Sequence, residues 1–255
     1  MLYIVSTPIG NLKDITLRAI EVLKSVDIIA AEDTRHTRGL LDRHEIKARL
    51  LSYHEHNEAA RVAELLPRLA AGERIALVTD AGMPAISDPG TRLVRAALDA
   101  GIPVTVLPGA SAVETALVAS GLAAARYAFI GFLPRKAGEL DELWRETAGW
   151  TWPVVAFESP QRLPKSLRSL AAFEPAREVA VCRELTKRFE EIARGSALEV
   201  ADRFAEAPKG EITLVLGPGS AVSDLVAAGT PRRVAADVVA RLTDMSRNEL
   251  YRGSL

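Results

Sequence analysis

The sequence predicts an α/β protein of two domains, the first built on a mostly parallel sheet and the second on a mixed one. Three observations carry this. In the first half, short apolar runs alternate with amphipathic segments, as they do in repeated βα units. Those runs are apolar on both faces, which suits a parallel sheet covered by helices on either side. In the second half, apolar runs crowd together around Cys182 to Arg194 with no room for a crossover helix, so an antiparallel pair is expected there.

The elements follow in order. Leu2 to Ser6, Asp27 to Ala31, Arg49 to Tyr53, Ile75 to Asp80 and Pro103 to Leu107 read as the strands of the first sheet. Between them, Asn57 to Ala71 and Thr91 to Ala100 carry apolar residues at helical spacing, with Gly72 and Gly101 as stop signals. Leu93, Val94, Ala97 and Leu98 fit one buried stripe. A further helix runs from about Ser111 to Ser120, and 121–126 marks a boundary between a domain at 1–120 and one at 126–218. In the second domain, Tyr127 to Leu133, Pro153 to Glu158, Glu178 to Arg183, Arg188 to Arg194 and Glu211 to Leu216 read as strands. Helices are expected near Glu139 to Thr147, Pro164 to Ala172 and Leu198 to Ala205. From Pro231 onward the pattern is helical and polar, with Arg232, Arg233, Arg241, Arg247 and Arg252 offset by acids.

Composition narrows the function classes. With 48% hydrophobic and 25% charged residues in a chain of 255, collagen, coiled coil and disorder are excluded, and the core is large enough to need no disulfide or structural metal. The single cysteine, Cys182, suits a reducing cytoplasm and reads as a core residue. The amino terminus has no basic region followed by a long apolar segment, and no run reaches the roughly 18 apolar residues of a spanning helix. The expectation is a cytoplasmic protein outside the membrane. A net charge of -1 removes any global argument for nucleic-acid binding but leaves room for a local basic face.

Among motifs, G-x-G-x-x-G after a strand, G-x-x-x-x-G-K-[ST] and H-E-x-x-H are all missing, which disfavours a dinucleotide fold, a P-loop NTPase and a zincin. Gly109-Ala110-Ser111-Ala112-Val113 lacks the second glycine of a nucleophile elbow, and Ser111 reads instead as a helix cap. His54, Glu55 and His56 fix no metal geometry at their spacing and read as a solvated loop. Thr7-Pro8-Ile9-Gly10-Asn11 falls where the first strand ends, the place where open α/β sheets collect ligands. Asp80 to Gly90 is the most informative stretch: two glycines and two prolines in eleven residues, from a strand end to a helix start, suit a rigid loop with exposed amides and carbonyls. Pro108 to Ala112 ends the next strand. Glu32-Asp33-Thr34-Arg35, Gly131 to Lys136, Glu158 to Leu163 and Arg183 to Glu190 place charge at further strand ends, and the last three together favour a polar substrate groove.

Taken in order, Thr7 to Leu12, Ala31 to Arg35, Thr79 to Gly90, Gly131 to Lys136, Glu158 to Leu163 and Glu184 to Lys187 resemble the blocks of the ribosomal small-subunit methyltransferase I group of the tetrapyrrole methylase superfamily, a likeness running from Ser6 to about Gly217. The resemblance implies a two-domain tetrapyrrole methylase-like (class III S-adenosylmethionine methyltransferase) fold, usually a homodimer, with the cofactor S-adenosylmethionine between the domains. It implies 2′-O-methylation of a cytidine ribose in the decoding region of 16S rRNA within the small ribosomal subunit. Carried over position by position, it implies cofactor contacts at Pro8, Asp80, Met83, Ile86, Ser111 and Ala112, and at Phe132, Leu185, Ile212 and Thr213. Gln161 stands where the group commonly has histidine. Ser246 to Arg252 resembles the start of a carboxyl-terminal RNA-contacting helical segment, so a truncated helical tail is one reading of 219–255.

The chemistry so implied needs no metal. Glu158, Asp33 and Lys187 are the candidates for a base that takes the hydroxyl proton, Lys187 only if its pKa is lowered. Arg35, Arg135, Lys136, Arg162 and Arg183 are candidate phosphate partners, since guanidinium forks suit phosphate oxygens. Tyr53, Phe132 and Trp144 are aromatics that could stack on a base, each with a core role as the alternative. A small-molecule methylase of the same superfamily and a non-catalytic RNA-binding module remain open as other readings.

Overall fold

The computed structural model describes residues 1–219, 225, 229–242, 246–248 and 250. The chain divides into two compact units, Met1–Ala112 and Val113–Leu255. Arg252 and the last expected turn of the tail lie outside the described residues.

In the first unit, all five expected strands form, each shortened by a residue or two: β1 (Leu2–Val5), β2 (Ile28–Ala31), β3 (Arg49–Ser52), β4 (Ile75–Val78) and β5 (Val104–Leu107). They pair in parallel in the order β3-β2-β4-β1-β5. Side chains alternate across the sheet, and both faces are covered. Val5, Ile29, Ala31, Ala76, Val78 and Leu107 pack against residues of α1 (Leu17–Ser25) and α2 (Thr34–Arg43). Leu2, Ile4, Ile28, Ala30, Ile75 and Leu77 meet α3 (Glu58–Ala70) and α4 (Thr91–Asp99). Near-continuous apolar strands are the sequence consequence of that sandwich. Within α4 the expected stripe holds at Leu93 and Ala97, both 0% exposed, and fails at Leu98, which is 55% exposed and faces away from the sheet. The helix α1 was not among the sequence's clear periodic segments; Thr16 caps it, accepting a hydrogen bond from the Ala19 N–H at 3.1 Å.

In the second unit, α5 (Ala112–Ser120) leads into a sheet of β6 (Ala128–Phe132), β7 (Val154–Glu158), β8 (Glu178–Arg183), β9 (Glu191–Ser196) and β10 (Ile212–Leu216), ordered β6-β7-β10-β8-β9. Only β6 and β7 run parallel; the rest are antiparallel, including the expected pair β8 and β9. That pair begins its second strand at Glu191 rather than Arg188, because Arg188 to Glu190 belong to a tight loop in which Glu184 and Thr186 adopt positive φ. One face of the sheet carries α6 (Ala137–Ala148), α7 (Leu163–Phe173) and α8 (Ala197–Arg203) over a core that includes Trp144, Leu167, Val181 and Leu214. Cys182 lies buried on the other face, its Sγ 3.7 Å from the Ala116 carbonyl, and burial pushes its thiol up to about 12, as an inert core residue should be. Trp144 and Tyr53 are likewise core, each 1% exposed, which removes them from base stacking. In the tail, α9 (Arg232–Leu242) packs Ala235, Ala236 and Val239 against Leu250.

Candidate active site

The strands β1 and β4 are neighbours, but the helices that follow them lie on opposite faces of the sheet, the arrangement that opens a crevice beyond the carboxyl ends of the strands. Three loops meet there. Thr7 and Gly82 exchange backbone hydrogen bonds of 2.9 and 3.1 Å, and Thr7 Oγ1 donates to the Thr79 carbonyl at 3.0 Å. Ser6 Oγ donates to the Ala110 carbonyl at 2.8 Å, tying in the loop after β5. Gly109 allows this close crossing, for a Cβ there would sit 2.8 Å from the Ser6 Cβ. The Asp80 to Gly90 loop holds two non-glycine residues in the left-handed region, Ala85 (φ 69°) and Ser87 (φ 61°). Its far end is pinned by the Gly90 N–H donating to Glu58 Oε1 at 2.8 Å. Strain retained in this way requires a surrounding structure that over-determines it, and it clusters at functional sites.

Of the residues expected to hold the cofactor on this unit, Pro8 is buried in the first loop, Asp80, Met83, Ser111 and Ala112 are half-buried, and Ile86 is 50% exposed at the loop tip. Asp80 is fixed by the neighbouring strand end: its Oδ1 accepts the Asp33 N–H at 3.0 Å, and its own N–H donates to Glu32 Oε2 at 3.4 Å. This gathers carboxylates that the sequence keeps far apart. Burial, with repulsion from Glu32 and Asp80, pushes Asp88 up to about 7. Burial also raises Glu32, an effect partly opposed by its bond from the Asp80 N–H. Sequence reasoning missed both, since their titration depends on which strand ends are neighbours. Asp33 takes a different role. Its carboxylate caps α2 and accepts from Arg35 Nε at 3.2 Å and Nη2 at 2.8 Å, and that pairing holds it well below the usual carboxylate range.

On the second unit, the strand register aligns Glu158, Ile212, Arg183 and Glu191 along one end of the sheet, with Phe132 opposite Phe157, the residue before Glu158. Phe132 is 60% exposed there, whereas Leu185, Ile212 and Thr213 are buried. The Glu158 side chain is fully enclosed, accepting from the Ser159 N–H at 2.6 Å and Ser166 Oγ at 2.5 Å and pairing with Arg162. A carboxylate so committed holds Arg162 and its loop in place and does not face a substrate. Arg162 also donates to the Leu133 carbonyl at 3.1 Å, while its Nη1 is buried with no hydrogen-bond partner. Arg183 is spent on Glu191 Oε2 at 2.8 Å and the Lys209 carbonyl at 3.0 Å. Burial lowers the Lys187 pKa, but the carboxylates of Glu184 and Glu211, 2.8 and 2.9 Å from its Nζ, outweigh it and the net shift is upward. The condition under which Lys187 would act as a base is therefore unmet. Arg135 and Lys136 are exposed; Lys136 pairs with Glu139 at 2.8 Å, and Arg135 has no ion pair among the described residues. Arg188 and Phe189, both exposed at the loop after β8, lie in the Arg183 to Glu190 cluster that the sequence placed at a strand end without giving either a role.

Comparison with known proteins agrees with this architecture. The sequence model of the tetrapyrrole (corrin/porphyrin) methylases matches residues 1–201. A protein of Mesorhizobium japonicum named ribosomal RNA small subunit methyltransferase I is 46% identical over 98% of this chain and 90% of its own length. One of the same name from Halalkalibacterium halodurans is 48% identical over 84% of this chain and 75% of its own. Among solved structures, a uroporphyrin-III-C-methyltransferase from Thermus thermophilus shares the fold with a TM-score of 0.58 at 21% identity, covering 90% of this chain and 98% of that one. The chain belongs to the tetrapyrrole (corrin/porphyrin) methylase family, in its ribosomal RNA small subunit methyltransferase I branch.

Proposed function

We propose that this protein is an S-adenosylmethionine-dependent methyltransferase of the small ribosomal subunit, and that it methylates the ribose 2′-hydroxyl of a cytidine in the decoding region of 16S rRNA. The observation that carries the reading is the 46% identity, sustained over 98% of the chain, to a relative whose name states methylation of small-subunit rRNA. A cytoplasmic homodimer is part of the proposal.

The first unit's loops fit such a cofactor. S-adenosylmethionine supplies a methyl group on a cationic sulfonium and carries an ammonium group. The carboxylates of Glu32, Asp80 and Asp88 make the crevice acidic; burial first, and then repulsion among these carboxylates, raises Asp88 and Glu32, and a cationic ligand would relieve the repulsive part. Pro8, Asp80, Met83, Ile86, Ser111 and Ala112 are proposed as its contacts on this unit, and Phe132, Leu185, Ile212 and Thr213 as contacts on the second. Asp80 accepts the Asp33 N–H through Oδ1, which among the described residues leaves its Oδ2 to accept from a ligand.

For the RNA, Arg135, Lys136 and Arg35 are proposed phosphate partners, while Arg162, paired with Glu158 and donating to the Leu133 carbonyl, holds its own loop. Arg183 and Lys187 support the loop that follows β8, and Lys187, staying protonated, adds positive charge near it. With Glu158 enclosed, Asp33 made a weak proton acceptor by its pairing with Arg35, and Lys187 protonated, the hydroxyl proton leaves to water, and positioning of the acceptor oxygen provides most of the rate.

Calorimetric titration with S-adenosylmethionine tests the cofactor, and transfer of label to unmodified small subunits tests the substrate. Asp80→Ala is expected to weaken cofactor binding by about ten- to a hundred-fold, the range for losing a hydrogen bond to a charged group. Native protein that binds no cofactor would overturn the enzyme reading; binding with no label in 16S rRNA would overturn the substrate.

A further inference from the structure

The loop between β8 and β9 holds an aromatic ring out in water on a rigid mount. Phe189 is 66% exposed, and the Arg188 guanidinium carbon sits over its ring, 5.4 Å from the centroid. A single exposed apolar side chain is ordinary surface. Two further facts set this one apart. The loop is locked: the Lys187 N–H donates to the Glu184 carbonyl at 3.0 Å, the Glu190 N–H to the Lys187 carbonyl at 3.2 Å, the Thr186 N–H to Glu190 Oε2 at 2.6 Å, and the Glu184 N–H to the Glu211 carbonyl at 3.0 Å. It is also strained, with Glu184 at φ 53° and Thr186 at φ 65°, and Gly210 packs so tightly that a Cβ there would fall 2.4 Å from the Glu184 Cγ. Strain and close packing around the buried Leu185 fix the loop, and its exposed tip, Arg188 and Phe189, is carried on that fixed base.

We propose that Phe189, with Arg188 stacked on it, is a platform on which an unpaired nucleobase of the RNA substrate stacks. The proposal rests on the reading of the chain as an RNA methyltransferase. Nucleobases expose flat π-faces when splayed from a helix, and proteins take them on aromatic rings and guanidinium planes. An already ordered loop loses little further freedom when it binds. Arg188 is the cation of this loop that no carboxylate neutralises among the described residues, unlike Lys187 and Arg183, so its charge remains available to the adjoining phosphate. This gives the second unit a contact that reads the flatness of a base, where Arg135 and Lys136 can read only phosphate.

The test is steady-state methyl transfer to unmodified small ribosomal subunits by native protein and by Phe189→Ala, Phe189→Leu and Phe189→Trp. Phe189→Ala is expected to raise KM for subunits by about five- to a hundred-fold, the cost of one lost base stack, with unchanged cofactor affinity by calorimetry and unchanged Tm. Phe189→Trp should restore KM, and Phe189→Leu should not. Native KM in Phe189→Ala overturns the platform, and rescue by leucine overturns stacking in favour of an apolar contact with protein. Should native protein label no subunits at all, the parent reading falls; if it labels them and only the Phe189 variants behave like native, the platform alone falls.

Discussion

Asp88 shows how a single residue can register the crevice around it. Its pKa is raised from the ordinary carboxylate range to about 7, so the folded state holds a proton that the unfolded chain releases. Stability from this group is therefore present at low pH and is lost as pH rises towards 7, the reverse of the usual carboxylate. Asp88→Asn should leave Tm unchanged at pH 4 and raise it at pH 8. Allowing for solvent screening, the gain is on the order of 1 kcal/mol, or about 2–4 °C in a thermal melt. An equal Tm at pH 8 would show that neither burial nor repulsion penalises the carboxylate. The same charge should matter for a cationic ligand. Affinity for S-adenosylmethionine is expected to rise between pH 6 and 8 in native protein and to stay flat in Asp88→Asn, as calorimetry across that range will show.

At the scale of elements, two joints dominate. In the second unit, the buried Arg177 bonds the Gly217 carbonyl after β10, Thr147 in α6 and Glu174 at the end of α7, at 2.9–3.3 Å. Burial lowers its pKa, with Glu174 opposing. Removing one partner of so buried a pair costs about 3–5 kcal/mol, so Arg177→Met should lower Tm by about 6–20 °C. A native melt would mean that the three elements hold together without it. In the first unit, Gly109 lets the end of β5 cross Ser6 at contact distance. Gly109→Ala should push the Pro108 to Ser111 loop away from β1 and weaken cofactor binding by about tenfold or more, with a smaller loss of stability of about 1–3 kcal/mol. Melting and titration of the same variant separate the two effects.

For the molecule as a whole, the net charge of -1 conceals a division of labour among its cations. Arg162, Arg177 and Arg183 serve the fold through carboxylates and backbone carbonyls, whereas Arg135, Lys136 and Arg188 are exposed. If these three meet phosphates, subunit affinity should fall with salt at a log–log slope of about -2 to -3, and Arg135→Ala should flatten it by nearly one. A slope near zero would remove phosphate contact from the account. No helix among the described residues is long and apolar enough to cross a membrane.

The sequence by itself determined most of the elements and the loops that join them. The five strands of the first sheet, the antiparallel pair β8 and β9, and the glycine- and proline-rich Asp80 to Gly90 loop were all legible, because periodicity and turn residues are local properties of the chain. The helix α1, with a single apolar stripe between loops, left a weaker trace. Only the tertiary structure decided which charges survive as chemistry. The order β3-β2-β4-β1-β5 brings Asp80 to Asp33 and Glu32 across 47 and 48 residues. Folding likewise closes Glu158 behind Ser166 and spends Arg183 on the Lys209 carbonyl, 26 residues away. A side chain's charge is written in the sequence, but its pKa and its freedom to meet a ligand depend on burial and on partners that only strand order and register supply.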